Sequence, residues 1–122
     1  MPNPVTHFEI TGKDAKKLQD FYQGVFDWKI NNYPMPDGGS YGMVEPQEGK
    51  GIGGGVGSGD GSSGHVTFYV EVEDPDAYLK QIEQKGGKTV VPTTTVPNMV
   101  TFALFADPEG HLVGLVKSEP PH

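Results

Sequence analysis

Three side chains that can carry protons or bind a metal lie on two short segments with the same pattern. His7 and Glu9 stand two residues apart in the segment 7–10, and His65 opens the segment 65–72. Apolar and polar residues alternate along both segments, which predicts β-strands with each histidine on the polar face. Imidazole titrates near neutral pH and binds divalent metals, so acid–base chemistry and metal binding are both open at this point.

The two histidine strands begin one unit that the chain uses twice. His7 and His65 are 58 residues apart, and so are Pro34 and Pro92. This constant offset indicates that the elements following each histidine come in the same order in both halves.

An amphipathic helix is predicted after each histidine strand, near residues 14–25 and 75–85. The first has apolar residues at the spacing i, i+3, i+4 and i+7, so its aromatic face, with Phe21, is expected to be buried on a sheet. The second starts with Asp74 as N-cap and Pro75 at its first position, a typical helix beginning.

Short strands complete each half. The predicted strands cover residues 5–10, 27–30, 40–44, 51–57, 65–72, 88–91, 99–105 and 111–116, with a loop at 92–98. The segment 51–57 contains Gly-x-Gly-x-Gly, which phosphate loops also show, but no helix follows it, and a glycine-rich strand is favoured. Each half therefore has the order βαβββ. This predicts an α+β fold of tandem βαβββ modules, each a four-stranded antiparallel sheet with a helix on one face.

The length of the chain and its turn composition predict one domain covering residues 1–122. Module one is expected over 5–57 and module two over 65–117. A glycine- and serine-rich linker is predicted over 58–64, and a loose tail over 118–122.

Composition excludes several classes of function. The net charge of −7 and the absence of cysteine argue against nucleic acid, anionic membrane surfaces and thiolate metal sites. No apolar run approaches the length of a membrane span, and no signal segment is recognisable. A cytoplasmic protein is expected, with a small molecule as its partner.

Two motifs and the order of elements resemble the vicinal oxygen chelate superfamily. The motifs are the run Phe21–Trp28, Phe-Tyr-Gln-Gly-Val-Phe-Asp-Trp, and the run Asp107–Leu115, Asp-Pro-Glu-Gly-His-Leu-Val-Gly-Leu. This superfamily includes glyoxalase I, bleomycin-resistance proteins, extradiol dioxygenases and methylmalonyl-CoA epimerase. The resemblance implies a fold in which the two modules form a concave cup, and it implies no single reaction.

The resemblance also implies where a divalent metal would be held. It places the first-strand ligands on His7 and His65, and the acid ligands of the two closing strands on Gly55 and Gly114. Two neutral imidazoles leave a metal short of the three protein ligands of a catalytic site. The sequence therefore predicts a pocket without a bound cofactor, and Glu9 is the alternative source of a third ligand.

The predicted pocket combines these positions with neighbours on the same strand faces. Thr67 and Tyr69 share the face of His65, whereas Tyr41 and Met43 share a strand that is either pocket wall or core. His111 and His122 are set aside, the first by its strand parity and the second by its place in the tail. The predicted pocket residues are His7, Glu9, Tyr41, Met43, Gly55, His65, Thr67, Tyr69 and Gly114.

Two functions from different classes follow. The first is a metal-independent protein of the bleomycin-resistance type that binds a small molecule in the cup. The second is a glyoxalase-like lyase or isomerase, or a related dioxygenase-type enzyme, in which His7 and His65 hold a metal completed by Glu9, water or substrate. A stress or regulatory module whose ligand is unknown is the third alternative. For His7 and His65 themselves, a purely structural role by hydrogen bonding to their neighbours is also open. By resemblance the chain is expected to form a homodimer.

Overall fold

A computed structural model describes residues 2–34, 40–46, 50–58, 64–97 and 99–118. Within them the chain forms, in order, β1 (Val5–Gly12), α1 (Ala15–Phe26), β2 (Ile30–Pro34), β3 (Ser40–Val44), β4 (Gly53–Ser58), β5 (Val66–Val72), α2 (Pro75–Gln84), β6 (Lys88–Val96), β7 (Val100–Ala106) and β8 (Leu112–Lys117). The interior of the predicted linker, the predicted tail beyond Ser118 and the turn at 35–39 lie outside the described residues.

The chain divides into two compact units. The first unit is His7–Thr67, and the second unit comprises the N-terminal segment up to Thr6 and the chain from Phe68 onward. The first unit has the strand order β2-β3-β4-β1, and the second has β6-β7-β8-β5. The predicted α+β class and the repeated βαβββ order are confirmed.

The prediction that each sheet is antiparallel is wrong. β1 runs parallel to β4 in the first unit, and β5 runs parallel to β8 in the second. The physical reason is the helical crossover after the first strand, which returns the chain in its original direction. Two hairpin reversals then bring the last strand of the unit back to that same direction beside the first.

Helix α1 has the predicted length but buries a narrower face than predicted. Asp14 caps it by accepting a hydrogen bond from the Lys17 backbone N–H at 3.0 Å. Gln19 is buried and donates from Nε2 to the carbonyl oxygen of Val56 at 2.9 Å, which directs this side of the helix onto the sheet. Phe21 lies farther round the helix and is 59% exposed, so the expectation that its ring is buried is wrong.

Each unit has a hydrophobic core between its helix and one face of its strands. The buried core residues are Ile10, Val44 and Val56 in the first unit, and Val72, Leu79, Ala103 and Leu115 in the second. On β1, Phe8 and Ile10 take the helix side, so the alternating residues His7 and Glu9 lie on the opposite face. This face of the first unit, opposite α1, is called the site face below.

The largest differences from the predicted strand boundaries are at β6 and β2. β6 continues to Val96 through Pro92, where a loop was predicted, and its pairing with β7 shifts register between Thr89 and Thr94. Proline is tolerated because β6 has a pairing partner on one side only within its unit, so a missing N–H need not break a ladder. β2 begins at Ile30, at the end of the predicted strand rather than at its start.

No helix among the described residues is long and apolar enough to cross a membrane.

Candidate functional site

Four side chains on the site face form one continuous line of hydrogen bonds. Nε2 of His7 lies 3.1 Å from the Tyr41 hydroxyl, which donates to Oε2 of Glu9 at 2.9 Å. The other carboxylate oxygen, Oε1 of Glu9, lies 2.9 Å from Nε2 of His65. The line joins β1, β3 and the residue that precedes β5.

The glycines of β4 let Tyr41 reach across the sheet. In the first unit β4 lies between β3, which carries Tyr41, and β1, which carries Glu9. Gly55 pairs with Glu9, and a Cβ built on Gly55 would coincide with the Tyr41 ring. Because Gly55 has no side chain, the ring lies over it and its hydroxyl arrives at β1. This glycine-rich segment is a strand, as predicted, and not a phosphate loop.

The hydrogen-bond line assigns proton positions. Tyr41 has one hydroxyl hydrogen, which goes to Glu9, so Nε2–H of His7 must be the donor to the Tyr41 oxygen. A neutral His7 is therefore protonated on Nε2, and its Nδ1 carries the lone pair. An ionised carboxylate accepts only, so His65 donates to Glu9 from Nε2.

Burial lowers the pKa of His7 below the ordinary value for imidazole, and the negative charge of Glu9 opposes part of that shift. Burial lowers the pKa because removing water penalises the charged imidazolium more than the neutral imidazole. At neutral pH His7 is therefore uncharged, the form that can accept a proton from a bound molecule.

Thr11 fixes His65 against β1. The backbone N–H of His65 donates to Oγ1 of Thr11 at 3.1 Å, and Nδ1 of His65 lies 3.4 Å from the same oxygen. The Thr11 N–H in turn donates to the carbonyl oxygen of His65 at 2.9 Å. Thr11 is not among the predicted pocket residues, yet its spacing of two from Glu9 on a strand places it on the site face.

The remaining predicted pocket residues divide between the two units. Met43 is half-buried beside Gly55 on the site face, and Thr67 is buried at the end of the first unit. Tyr69 and Gly114 pair with each other in the second unit, where the Tyr69 ring fills the space that a Gly114 side chain would occupy. Each glycine at an expected acid position thus makes room, and a tyrosine ring takes that room.

His111 is not part of this line of hydrogen bonds. His111 lies in the turn before β8, with Nδ1 3.0 Å from Oδ2 of Asp107. The same carboxyl accepts hydrogen bonds from the backbone N–H groups of Glu109 and His111. The bond from the His111 N–H is the largest cause that holds the pKa of Asp107 below its usual value. His122 lies outside the described residues.

The side chains of the site face do not fit the metal site that the resemblance implies. Of the described residues, no three His, Asp or Glu side chains are arranged to hold a metal ion. The acid positions are Gly55 and Gly114, each covered by a tyrosine ring. Glu9, the alternative ligand, already bridges Tyr41 and His65 with its two oxygens.

A family model described as the Glyoxalase/Bleomycin resistance protein/Dioxygenase superfamily matches residues 5–115. The chain belongs to this superfamily. The resemblance stated from the two motifs is thereby confirmed.

Solved structures show the same fold at low sequence identity. A hypothetical protein from Bacillus halodurans C-125 superposes with a TM-score of 0.74 at 14% identity, covering 100% of this chain and 99% of that one. Methylmalonyl-CoA epimerase from Mycobacterium tuberculosis gives a TM-score of 0.68 at 16% identity, covering 95% and 88% of the two chains.

A curated relative is closer in sequence but much longer. The anthracycline biosynthesis protein DnrV of Streptomyces peucetius is 27% identical over 124 residues, which is 89% of this chain and 45% of DnrV. CFP32 of Mycobacterium tuberculosis likewise matches over 42% of its length. The chain thus spans less than half the length of these relatives.

Proposed function

We propose that this protein binds a small oxygen-bearing molecule on the site face, at His7, Tyr41, Glu9 and His65, without a bound metal. The observation that carries the proposal is the unbroken hydrogen-bond line from His7 to His65. It brings an uncharged imidazole, a phenol, a carboxylate and a second imidazole together on the face opposite the core.

The line is accessible enough to meet a ligand. The side chain of His65 is 28% exposed and that of Glu9 is 14% exposed, so both retain solvent contact. A ligand oxygen or nitrogen that replaces solvent at His65 and Glu9 would hydrogen-bond to side chains whose orientation is already set by Tyr41 and Thr11. Such preorganisation lowers the entropy cost of binding.

The family and the charge of the chain guide the choice of probe. The family binds small-molecule substrates, and one relative is named for anthracycline biosynthesis. The net charge of −7 favours a cationic or neutral ligand over an anionic one. We therefore favour a planar, oxygenated and cationic molecule, and doxorubicin is a suitable probe.

Isothermal titration calorimetry with doxorubicin in the presence of a chelator tests the proposal, with methylmalonyl-CoA as an anionic comparison. We expect one doxorubicin per chain, and roughly tenfold weaker binding by His65→Ala, since one hydrogen bond to a polar partner is worth about 1 kcal/mol or more. His111→Ala, a change at an exposed histidine of the second unit, is the matched control.

Two outcomes would reject the proposal. One is the failure of both probes to bind at millimolar concentration. The other is binding that His65→Ala and Glu9→Gln leave unchanged.

A metal-dependent lyase or isomerase is the second candidate, and the nearness of Glu9 and His65 on the site face favours it. Their Oε1 and Nε2 atoms are 2.9 Å apart, but the Nε2 hydrogen lies between them, so this hydrogen bond must break before both residues bind a metal. This function requires Tyr41 to leave its position between His7 and Glu9. A homodimer and a cytoplasmic location remain predictions from the sequence.

A further inference from the structure

We infer that the rings of Tyr41 and His7 form one flat surface on which a planar, cationic heteroaromatic ligand stacks with its plane parallel to the sheet. The inference rests on the proposed function for the location of the site. It adds the shape that the ligand must have, and it names Tyr41 as the residue that selects this shape.

The phenol ring of Tyr41 lies with one face on the bare backbone of β4. The place of a Cβ on Gly55 is nearly equally close to the hydroxyl oxygen, Cζ and Cε2 of Tyr41. A point that is close to these three bonded atoms together lies over the face of the phenol and not at its edge. The opposite face of the ring is therefore directed away from the strand, on the site face.

The imidazole of His7 continues this surface. Its Nε2 lies 3.1 Å from the Tyr41 hydroxyl, so the two rings meet end to end through a hydrogen bond. Their centroids are 6.4 Å apart and their planes differ by 19°. Rings placed one over the other would have atoms in contact at about 3.5–4.0 Å across their faces, whereas these two lie side by side in nearly one plane. Both side chains are half-buried, so each keeps part of its surface exposed.

The charges around this surface favour a cationic ring. The face of a phenol attracts a cation that lies within about 6 Å of its centroid. Burial lowers the pKa of His7, so its imidazole is uncharged at neutral pH and does not repel a positive ligand. Oε2 of Glu9 lies 2.9 Å from the Tyr41 hydroxyl, at the rim of the surface. A carboxylate has about four acceptor positions, so Glu9 can also accept from an amino group on the edge of a stacked ring.

Two amines that carry one positive charge at neutral pH separate stacking from charge. Proflavine is planar and aromatic, whereas adamantylamine is compact and saturated. Isothermal titration calorimetry should show wild type binding proflavine roughly tenfold more tightly, a factor that corresponds to about 1.4 kcal/mol and lies within the range of aromatic stacking. Tyr41→Phe keeps the aromatic face and should keep this preference. Tyr41→Leu should weaken proflavine roughly tenfold and leave adamantylamine unchanged, with circular dichroism confirming that both variants fold.

A control variant and a second measurement make the result specific. Phe21→Leu removes a ring that is 59% exposed on α1, on the other side of the sheet, and should leave both affinities at the wild-type level. This control excludes adsorption of the dye to any exposed aromatic ring. The NMR signals of the His7 ring protons should move upfield on proflavine binding, because protons over the face of an aromatic ring are shielded. Protons at the edge of a bound ring would instead move downfield.

A preference for proflavine that survives in Tyr41→Leu would overturn the inference. So would its loss in Tyr41→Phe, a downfield movement of the His7 signals, or the failure of proflavine to bind wild type at millimolar concentration. The proposed function is tested by other variants, since Glu9→Gln and His65→Ala should weaken both amines alike. Equal weakening in those variants, together with an unchanged preference in Tyr41→Leu, would keep the proposed function and reject stacking.

Discussion

The two units share one plan and fill the sheet face opposite their helix with different chemistry. In the first unit a tyrosine covers Gly55 and its hydroxyl meets ionisable groups. In the second unit Tyr69 covers Gly114, whose other neighbour on the same face is Leu104, and Tyr69 and Leu104 are both buried. The same glycine–tyrosine arrangement thus brings the Tyr41 ring over a glycine that pairs with Glu9 in one unit, and the Tyr69 ring over a glycine that pairs with Leu104 in the other.

This comparison shows where the ring comes from as well as what it meets. Tyr69 lies on the strand paired in parallel with that of Gly114, so it covers its direct neighbour. Tyr41 comes from the antiparallel strand on the other side of Gly55 and therefore points toward β1. The two rings therefore cover their glycines from different neighbouring strands.

The largest expected effect concerns the cores rather than the site. Leu79→Ala, in the buried core of the second unit, should lower the free energy of unfolding by about 2–5 kcal/mol. Phe21→Ala, on α1 of the first unit, should lower it by less than about 1 kcal/mol because the ring is mostly exposed. Denaturant melts check both values, and the reverse order would mean that Phe21 is buried against another surface in solution.

Alanine at the two covered glycines should cost about 1–3 kcal/mol each, the usual penalty of overpacking. Gly55→Ala should additionally move the NMR signals of the His7 ring, because it displaces Tyr41. Gly114→Ala should leave those signals in place. Gly24→Ala is the control, since no atom lies near its Cβ, and it should raise stability by up to about 1 kcal/mol.

Protonation of His7 should make the protein less stable in mild acid. The folded-state pKa of His7 is lowered, so the unfolded chain binds the proton first, below about pH 6.5. The contribution of uncharged His7 to the stability of the fold is fully present above that pH, and it is lost as the pH drops toward the folded-state pKa. Melting temperatures between pH 8 and 5 should fall less steeply in His7→Gln. Identical slopes in both proteins would contradict the assigned direction.

The smallest expected effect lies in the turn of the second unit that holds Asp107. The pKa of this carboxyl is lowered, so its contribution is present above the unfolded value of about 3.9 and is lost as the pH falls through the folded one. In Asp107→Asn the melting temperature should fall slightly less steeply at acid pH than in wild type, whereas His7→Gln should leave the acid end of this pH dependence unchanged. If the melting temperature falls with pH below pH 4 as steeply in Asp107→Asn as in wild type, a group other than Asp107 is responsible for the acid sensitivity.

Much of the fold was predictable because its signals are local. The period of two around His7 and His65 and the helical stripe from Ala15 to Phe26 each depend on neighbours a few residues apart. The extension of β6 through Pro92 was missed because only the position of β6 within its unit makes a proline acceptable there.

The site was predictable in its members and not in its connections. Alternation along β1 places His7 and Glu9 on one face, but it cannot show that Tyr41 reaches them. That contact requires the strand order β3-β4-β1 and a bare glycine in the middle strand. Phe21 was misplaced for a related reason. A wide apolar stripe does not say which part of it a sheet will cover, and the buried Gln19 decided this.

The aromatic cluster beside α1 turns the first unit into its own optical probe. Trp28 is the single tryptophan of the chain, and its ring stacks on Tyr22 with centroids 5.1 Å apart. It also lies 5.4 Å from the ring of Phe8, the residue between His7 and Glu9. Indole fluorescence therefore follows the melting of the first unit, whereas circular dichroism follows the backbone of both. Coincident midpoints would show that the two halves unfold cooperatively, and separate midpoints would give each half a stability of its own.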